Sequence, residues 1–90
     1  SVAEEMRATL DTEGYTSILV GVSDTELVEI AEAVCEVAPT VETESEWLAG
    51  MELASQDHPT WGIAETSAVA TAGVRALCPD AIALSLDTAS

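Results

Sequence analysis

Two cysteines, Cys35 and Cys78, are the residues of this 90-residue chain that could form a covalent cross-link. Their spacing fits neither a Cys-x-x-Cys redox site nor a zinc site. An even cysteine count in a small domain favours a disulfide, and closing so long a loop stabilises a fold by roughly 4 kcal/mol in the loop-entropy model. The alternative is two buried free thiols in a cytosolic protein. We predict a Cys35–Cys78 disulfide.

His58 is the one histidine in the chain. A metal site at His58 would need Asp57 and further carboxylates from distant parts of the chain, and no spacing pattern indicates such a set. A Cys/His nucleophile pair is also not expected, because the disulfide would consume the thiol. The residue precedes Pro59, which is typical of a loop. We therefore expect no catalytic residue, no metal and no cofactor, and we keep a small hydrolase or metal enzyme as a third hypothesis.

Six glutamates could form an acidic face that binds a partner. Three recur along one predicted helix and three alternate in the segment that follows: Glu29, Glu32, Glu36, Glu42, Glu44 and Glu46. The Asp-rich loop with a central glycine that binds calcium is absent. The two remaining interpretations are a solvated surface that keeps the protein soluble and an electronegative face for a basic protein.

The charge balance restricts the class of partner. Seventeen Asp and Glu against two arginines and no lysine give a net charge of −15. Nucleic acid and anionic membrane surfaces need a Lys/Arg footprint, so neither is an expected partner. No apolar run approaches the ~18 residues of a membrane helix, so no membrane span is expected. Hydrophobic residues make up 48% of the chain, which favours a folded domain.

Apolar periodicity and capping signals predict four helices. The first runs from Ser1 to about Asp11, the second from the capping box Ser23–Glu26 to Pro39, the third from a cap at Thr43 or Ser45 to about Gln56, and the fourth from Trp61 to about Leu77. Tyr15–Val22, which includes the strand-like Ser17–Val20, is interpreted as an ordered connection packed on the core. Ala81–Leu86 is a candidate final turn, and 87–90 is expected to fray.

The predicted core comes from one face of each helix. Its expected members in the last three helices are Leu27, Ile30, Ala31, Val34, Ala38, Trp47, Leu48, Met51, Leu53, Ala54, Ile63, Ala70, Val74 and Leu77. Trp47 and Trp61 are both expected in the core, because a chain without Phe needs their area to fill it.

The two cysteines lie near the C-terminal ends of the second and fourth predicted helices. An antiparallel third helix would bring those two ends to the same side of a bundle, where Cys35 and Cys78 can pair. The predicted fold is therefore an all-α single domain over 1–90. It has four helices, or five with the final turn, and one disulfide links the second and fourth.

Several of these residues resemble a known family. Met6-x-x-x-Leu10 followed by Gly14-Tyr15, a helix ending Ala33-Val34-Cys35, and an Ala-rich helix ending Arg75-Ala76-Leu77-Cys78-Pro79 resemble the small secreted actinobacterial proteins grouped as domain of unknown function 732. The resemblance covers roughly Met6 to Pro79. Two positions differ from the family pattern, since Leu77 and Met6 stand where aromatic residues are usual. The resemblance implies an exported or lipoprotein-type helical domain with paired cysteines, found in actinobacteria and their phages.

The leading functional hypothesis is a non-enzymatic extracytoplasmic module, secreted or in the cell envelope, that acts by protein contact. Because the first residue is Ser1 and not methionine, we expect that the natural N-terminus has been removed, which allows a lost signal peptide. The second hypothesis is a cytoplasmic, phage-encoded acidic inhibitor that occupies a basic protein surface as a nucleic-acid mimic does. The sequence leaves the oligomeric state open.

Overall fold

A computed structural model describes residues 1–81, and this part of the chain is all-helical. Its five α-helices are α1 (Val2–Thr12), α2 (Thr16–Leu19), α3 (Asp24–Val37), α4 (Glu44–Ser55) and α5 (Ile63–Leu77). Two 3₁₀ turns, Ala38–Thr40 and Pro79–Ala81, follow α3 and α5. The predicted all-α fold is confirmed.

Local hydrogen bonds set the starts of the helices. Ser1, Ser23 and Thr43 cap α1, α3 and α4, each by accepting a hydrogen bond from the backbone N–H three residues later, at 3.2–3.3 Å. At α5 the direction is reversed, because the Gly62 N–H donates to the Glu65 carboxylate at 2.7 Å. Each bond satisfies a backbone donor that the helix leaves free, so the caps fix where the helices begin.

The segment after α1 contains a short helix that was not predicted. Thr16–Leu19, within the predicted connection, forms one turn of helix, and Ile18 from this turn is buried, as expected of a connection packed on the core. With no second strand among residues 1–81 to pair with, the backbone closes its hydrogen bonds locally, as the Ile18 N–H does to the Tyr15 carbonyl at 3.2 Å. Gly14, with φ of 86°, makes the turn that leads into it.

The main core lies between α1, α3 and α5. Met6 and Leu10 of α1 and Leu27 and Ala31 of α3 are fully buried there against α5. α5 lies close to α3 at Gly73, where an added Cβ would lie 3.0 Å from the Ala31 Cα. The absence of a side chain at this position is what lets the two helices approach so closely.

The disulfide joins Cys35 in α3 to Cys78, directly after α5, with their Cα atoms 6.0 Å apart. It therefore links the second and fourth predicted helices, as expected. α4 lies between the two cysteines in sequence and packs chiefly against α5, where Trp47 and Met51 cover Ala70. The bond ties the ends of α3 and α5 together beside this outer helix.

The prediction of a core position is wrong for four residues, which are all exposed: Leu48 and Leu53 in α4, and Ile63 and Leu77 in α5. In α4 the buried face is narrow and holds only Trp47 and Met51. In α5 the buried residues surround most of the middle of the helix and leave its two ends at the surface. The predicted turn over 81–86, beyond Ala81 itself, and the predicted frayed tail over 87–90 lie outside the described residues.

Candidate functional site

An apolar groove of about 300 Å³ lies between α3 and α4. Its walls come from the C-terminal half of α3 and one face of α4, with Val41 from the linker: Ala33, Val34, Val37, Val41, Glu46, Trp47, Gly50, Met51, Leu53 and Ala54. Glu46 is the only charged residue among them. A largely apolar concavity with few polar groups is the usual form of a binding site.

The groove has a buried floor and an exposed apolar edge. Trp47 and Met51 are 8% and 5% exposed, whereas Val37 and Leu53 on the edge are 54% and 67% exposed. Single exposed apolar residues are normal on protein surfaces, but two of them beside one apolar groove form a continuous patch. This patch could bury an apolar group from another molecule.

Small residues account for the opening between the two helices. Ala33 on α3 and Gly50 and Ala54 on α4 line the groove without filling it, and an added Cβ at Gly50 would touch nothing within 4 Å. The buried face of α4 points instead to α5 through Trp47 and Met51. Because α4 is held on that side, the side facing α3 stays open.

The six predicted acidic-face residues are all exposed, and they do not converge on one cleft. Glu46 lines the groove, and its carboxylate accepts a hydrogen bond from the Thr43 hydroxyl at 3.3 Å. Glu29 and Glu32 line a different, open cleft beside the start of α1. The remaining three are Glu36, near the end of α3, and Glu42 and Glu44, just before and at the start of α4.

Both arginines of the chain pair with other acids. Arg7 donates to the Asp24 carboxylate at 2.7 Å and to the Val22 carbonyl at 2.8 Å, and Arg75 lies 3.4 Å from the Glu13 carboxylate. Within residues 1–81, therefore, no side-chain cation neutralises the glutamates around α3 and α4. The groove lies in a negative field, which attracts basic partners and repels acidic ones.

His58 lies in the loop between α4 and α5, half-buried, with its imidazole stacked on the Trp61 indole at a centroid distance of 4.0 Å. Trp61 is also half-buried and packs on the main core, whereas Trp47 is buried as predicted. Over residues 1–81, no group of three or more His, Cys, Asp or Glu side chains is placed to hold a metal ion. In the same range, no helix is long and apolar enough to cross a bilayer.

The groove was not predicted from the sequence. Val37 follows the apolar stripe of α3, three residues after Val34, but it lies at the exposed edge of that stripe. Leu53 was counted as core, although its position differs by six residues from Trp47 and so lies away from the buried Trp47–Met51 face of α4. Large apolar residues at the edge of the core stripe, as Val37, or away from it, as Leu53, are therefore the signal that points to this site.

Comparison with known proteins finds no matching family model, no matching curated protein and no matching solved structure. The resemblance to domain of unknown function 732 stays a prediction.

Proposed function

We propose that this protein is a non-enzymatic, extracytoplasmic protein-interaction module whose α3–α4 groove binds a basic amphipathic helix. The observation that carries this proposal is the groove itself, with Val37 and Leu53 exposed along its edge. An amphipathic helix laid into an apolar groove is a recurrent mode of peptide recognition, in which residues at i, i+3, i+4 and i+7 fill the groove.

Charge selects the kind of helix. The chain carries a net charge of −15, and Glu46 borders the groove while Glu36 and Glu44 lie on the two helices that form it. A partner with Lys or Arg beside its apolar face gains attraction at these glutamates and faster association. A partner with acidic flanks meets repulsion instead, so the same surface discriminates between the two.

The Cys35–Cys78 disulfide supports the proposed location. Disulfides persist in oxidising compartments and are rare in the cytosol of most organisms, where thiol reductants keep cysteines reduced. A secreted or cell-envelope protein meets the oxidising condition, which is why we place this module outside the cytoplasm. Intact mass before and after alkylation of protein isolated from its native host tests this part of the proposal, because a cytosolic, reduced protein would take up two alkyl groups without prior reduction.

The binding proposal is tested by calorimetric titration with a designed peptide of leucine and lysine arranged as an 18-residue amphipathic helix. The control peptide has the same composition in an order that leaves no apolar face. We expect saturable one-to-one binding of the first peptide and none of the second. Equal binding of both peptides would show attraction by charge alone and would overturn the groove as the binding surface.

Matched variants locate the binding. Leu53→Gln removes an apolar edge residue, and we expect about tenfold weaker binding, since burying a leucine contributes ~1.5–3 kcal/mol when complete. Leu48→Gln is the control, because Leu48 is also exposed on α4 but does not line the groove. Glu46→Gln reduces the affinity by up to about fivefold, as expected for an exposed ion pair.

A second candidate, the acidic inhibitor of a basic protein surface, is favoured by the exposure of all six glutamates without a side-chain counter-cation among the described residues. Binding of that kind depends on charge and not on the groove. This candidate would be favoured if a basic protein binds the wild type and Leu53→Gln equally well. Its binding should then be lost when the glutamates of α3 are changed to glutamine.

A further inference from the structure

A second cavity, of about 130 Å³, lies where α3, α4 and α5 meet the loop before α5. It adjoins the groove, because four residues line both: Ala33, Val34, Met51 and Ala54. For comparison, a cavity of about 150 Å³ in another protein holds one benzene ring. The size of this second cavity therefore suits one six-membered aromatic ring.

One polar group beside this cavity is buried and lacks a partner. Thr66 of α5 lines it and is 5% exposed, and its hydroxyl oxygen makes no hydrogen bond within residues 1–81. Buried hydroxyl groups are nearly always hydrogen-bonded, since the water they leave is otherwise not replaced. A threonine hydroxyl can both donate and accept, so it can pair with a hydroxyl group that enters the cavity once the Thr66 side chain turns its oxygen toward that space.

The rest of the lining matches a flat, neutral ring. Val69 and Ala70 of α5 and Ile30 of α3 supply apolar contacts, and the stacked rings of His58 and Trp61 supply an aromatic wall. Asp57 also lines this cavity and the chain is strongly acidic, which disfavours an anionic ligand. The ring should therefore carry an uncharged polar group.

We propose that this cavity is a binding site for a hydroxylated aromatic ring whose hydroxyl group hydrogen-bonds to the Thr66 side chain. Free phenols and tyrosine side chains share this chemistry. The proposal goes beyond the proposed function and is independent of it, because it concerns a different cavity and its first test uses no peptide.

The test is a titration of the intact, disulfide-bonded protein with p-cresol and with toluene, followed by ¹H–¹⁵N NMR. We expect saturable shifts at Thr66, Val69 and Ala70 with p-cresol, and tighter binding of p-cresol than of toluene. Toluene is the more apolar of the two, so hydrophobicity alone predicts the opposite order. Toluene binding as tightly as p-cresol, or no saturable shifts with p-cresol, would overturn the proposal.

Thr66→Val keeps the shape of the side chain and removes the hydroxyl. We expect p-cresol to bind about fivefold to tenfold more weakly to this variant, as for one lost hydrogen bond, and toluene to bind at least as well as to the wild type. Thr71→Val on the same helix is the control, because Thr71 does not line the cavity. Unchanged p-cresol affinity in Thr66→Val would contradict the role of the hydroxyl.

The source of the ring is distinguished by competition. A groove-binding peptide is prepared with tyrosine or with phenylalanine at one apolar position, and p-cresol is titrated into each complex. Displacement of p-cresol by the tyrosine peptide alone identifies a partner side chain as the source. Undiminished p-cresol binding in the presence of both peptides identifies a free small molecule. If no peptide binds the groove, the p-cresol titration still stands by itself, so the two proposals fail separately.

Discussion

Gly73→Ala tests the close approach of α5 and α3. The new Cβ would lie 3.0 Å from the Cα and 3.1 Å from the Cβ of Ala31 and 3.4 Å from the Met6 Cε. The methionine end can move, but the Ala31 backbone moves only with its whole helix. The change gains about 1 kcal/mol of helix propensity and costs ~1–3 kcal/mol through overpacking, so we expect a net loss of about 1 kcal/mol.

The matched control is Gly50→Ala in α4, where an added Cβ meets nothing within 4 Å. It should gain about 0.5–1 kcal/mol from helix propensity alone. Urea unfolding followed by circular dichroism at 222 nm, with the disulfide intact, gives both free energies. The two variants should change stability in opposite directions. Gly73→Ala as stable as Gly50→Ala would refute the reasoning that Gly73 is required by packing.

Three further predictions concern the bonds and charges that hold the bundle. Replacing Cys35 and Cys78 together by serine should lower the free energy of unfolding by about 4 kcal/mol, and a loss below about 1 kcal/mol in urea unfolding would contradict the loop-entropy argument. Arg7→Met should cost ~1–3 kcal/mol, because it leaves the part-buried Val22 carbonyl without its donor. Arg75→Met, which breaks one exposed pair, should cost less than about 1 kcal/mol in the same assay, and equal losses would show that the carbonyl bond is unimportant. Raising NaCl from about 0.01 M to about 0.5 M should raise the melting temperature, because it shortens the screening length from ~30 Å to a few ångströms and so weakens the repulsion among the acidic side chains of a chain of net charge −15. A falling melting temperature would contradict net repulsion among these charges.

The helices could be predicted because the signals that define them, caps and apolar spacing, lie within a few residues of one another. Ser23 and Thr43 cap helices that begin where the capping pattern indicates, and the stripe around Leu27 and Ala31 is buried as its spacing requires. The disulfide was predicted from the even cysteine count of a small domain, and the order of the helices permits the pairing. Only the one-turn helix α2 was missed, because a four-residue turn has too few positions to show a helical period.

The binding surfaces could not be predicted, because they depend on how whole helices are placed. Leu53 has the residue type of a core position, and only the attachment of α4 to α5 leaves it on the edge of a groove. Thr66 looks like an ordinary residue of an Ala-rich helix, and its buried hydroxyl appears only once three helices surround it. The glutamates were visible in the sequence, but the placement of Glu46 in one cleft and of Glu29 and Glu32 in another was not.

The most direct test of the central claim is paramagnetic relaxation enhancement with the amphipathic leucine–lysine peptide carrying a nitroxide at its centre. If the α3–α4 groove binds the peptide, the amide signals of Ala33, Val37, Gly50 and Leu53 broaden first, and those at the start of α1, around Glu4, stay sharp. Broadening spread evenly over the acidic surface, or centred on the cleft beside Glu29, would contradict the groove as the binding site.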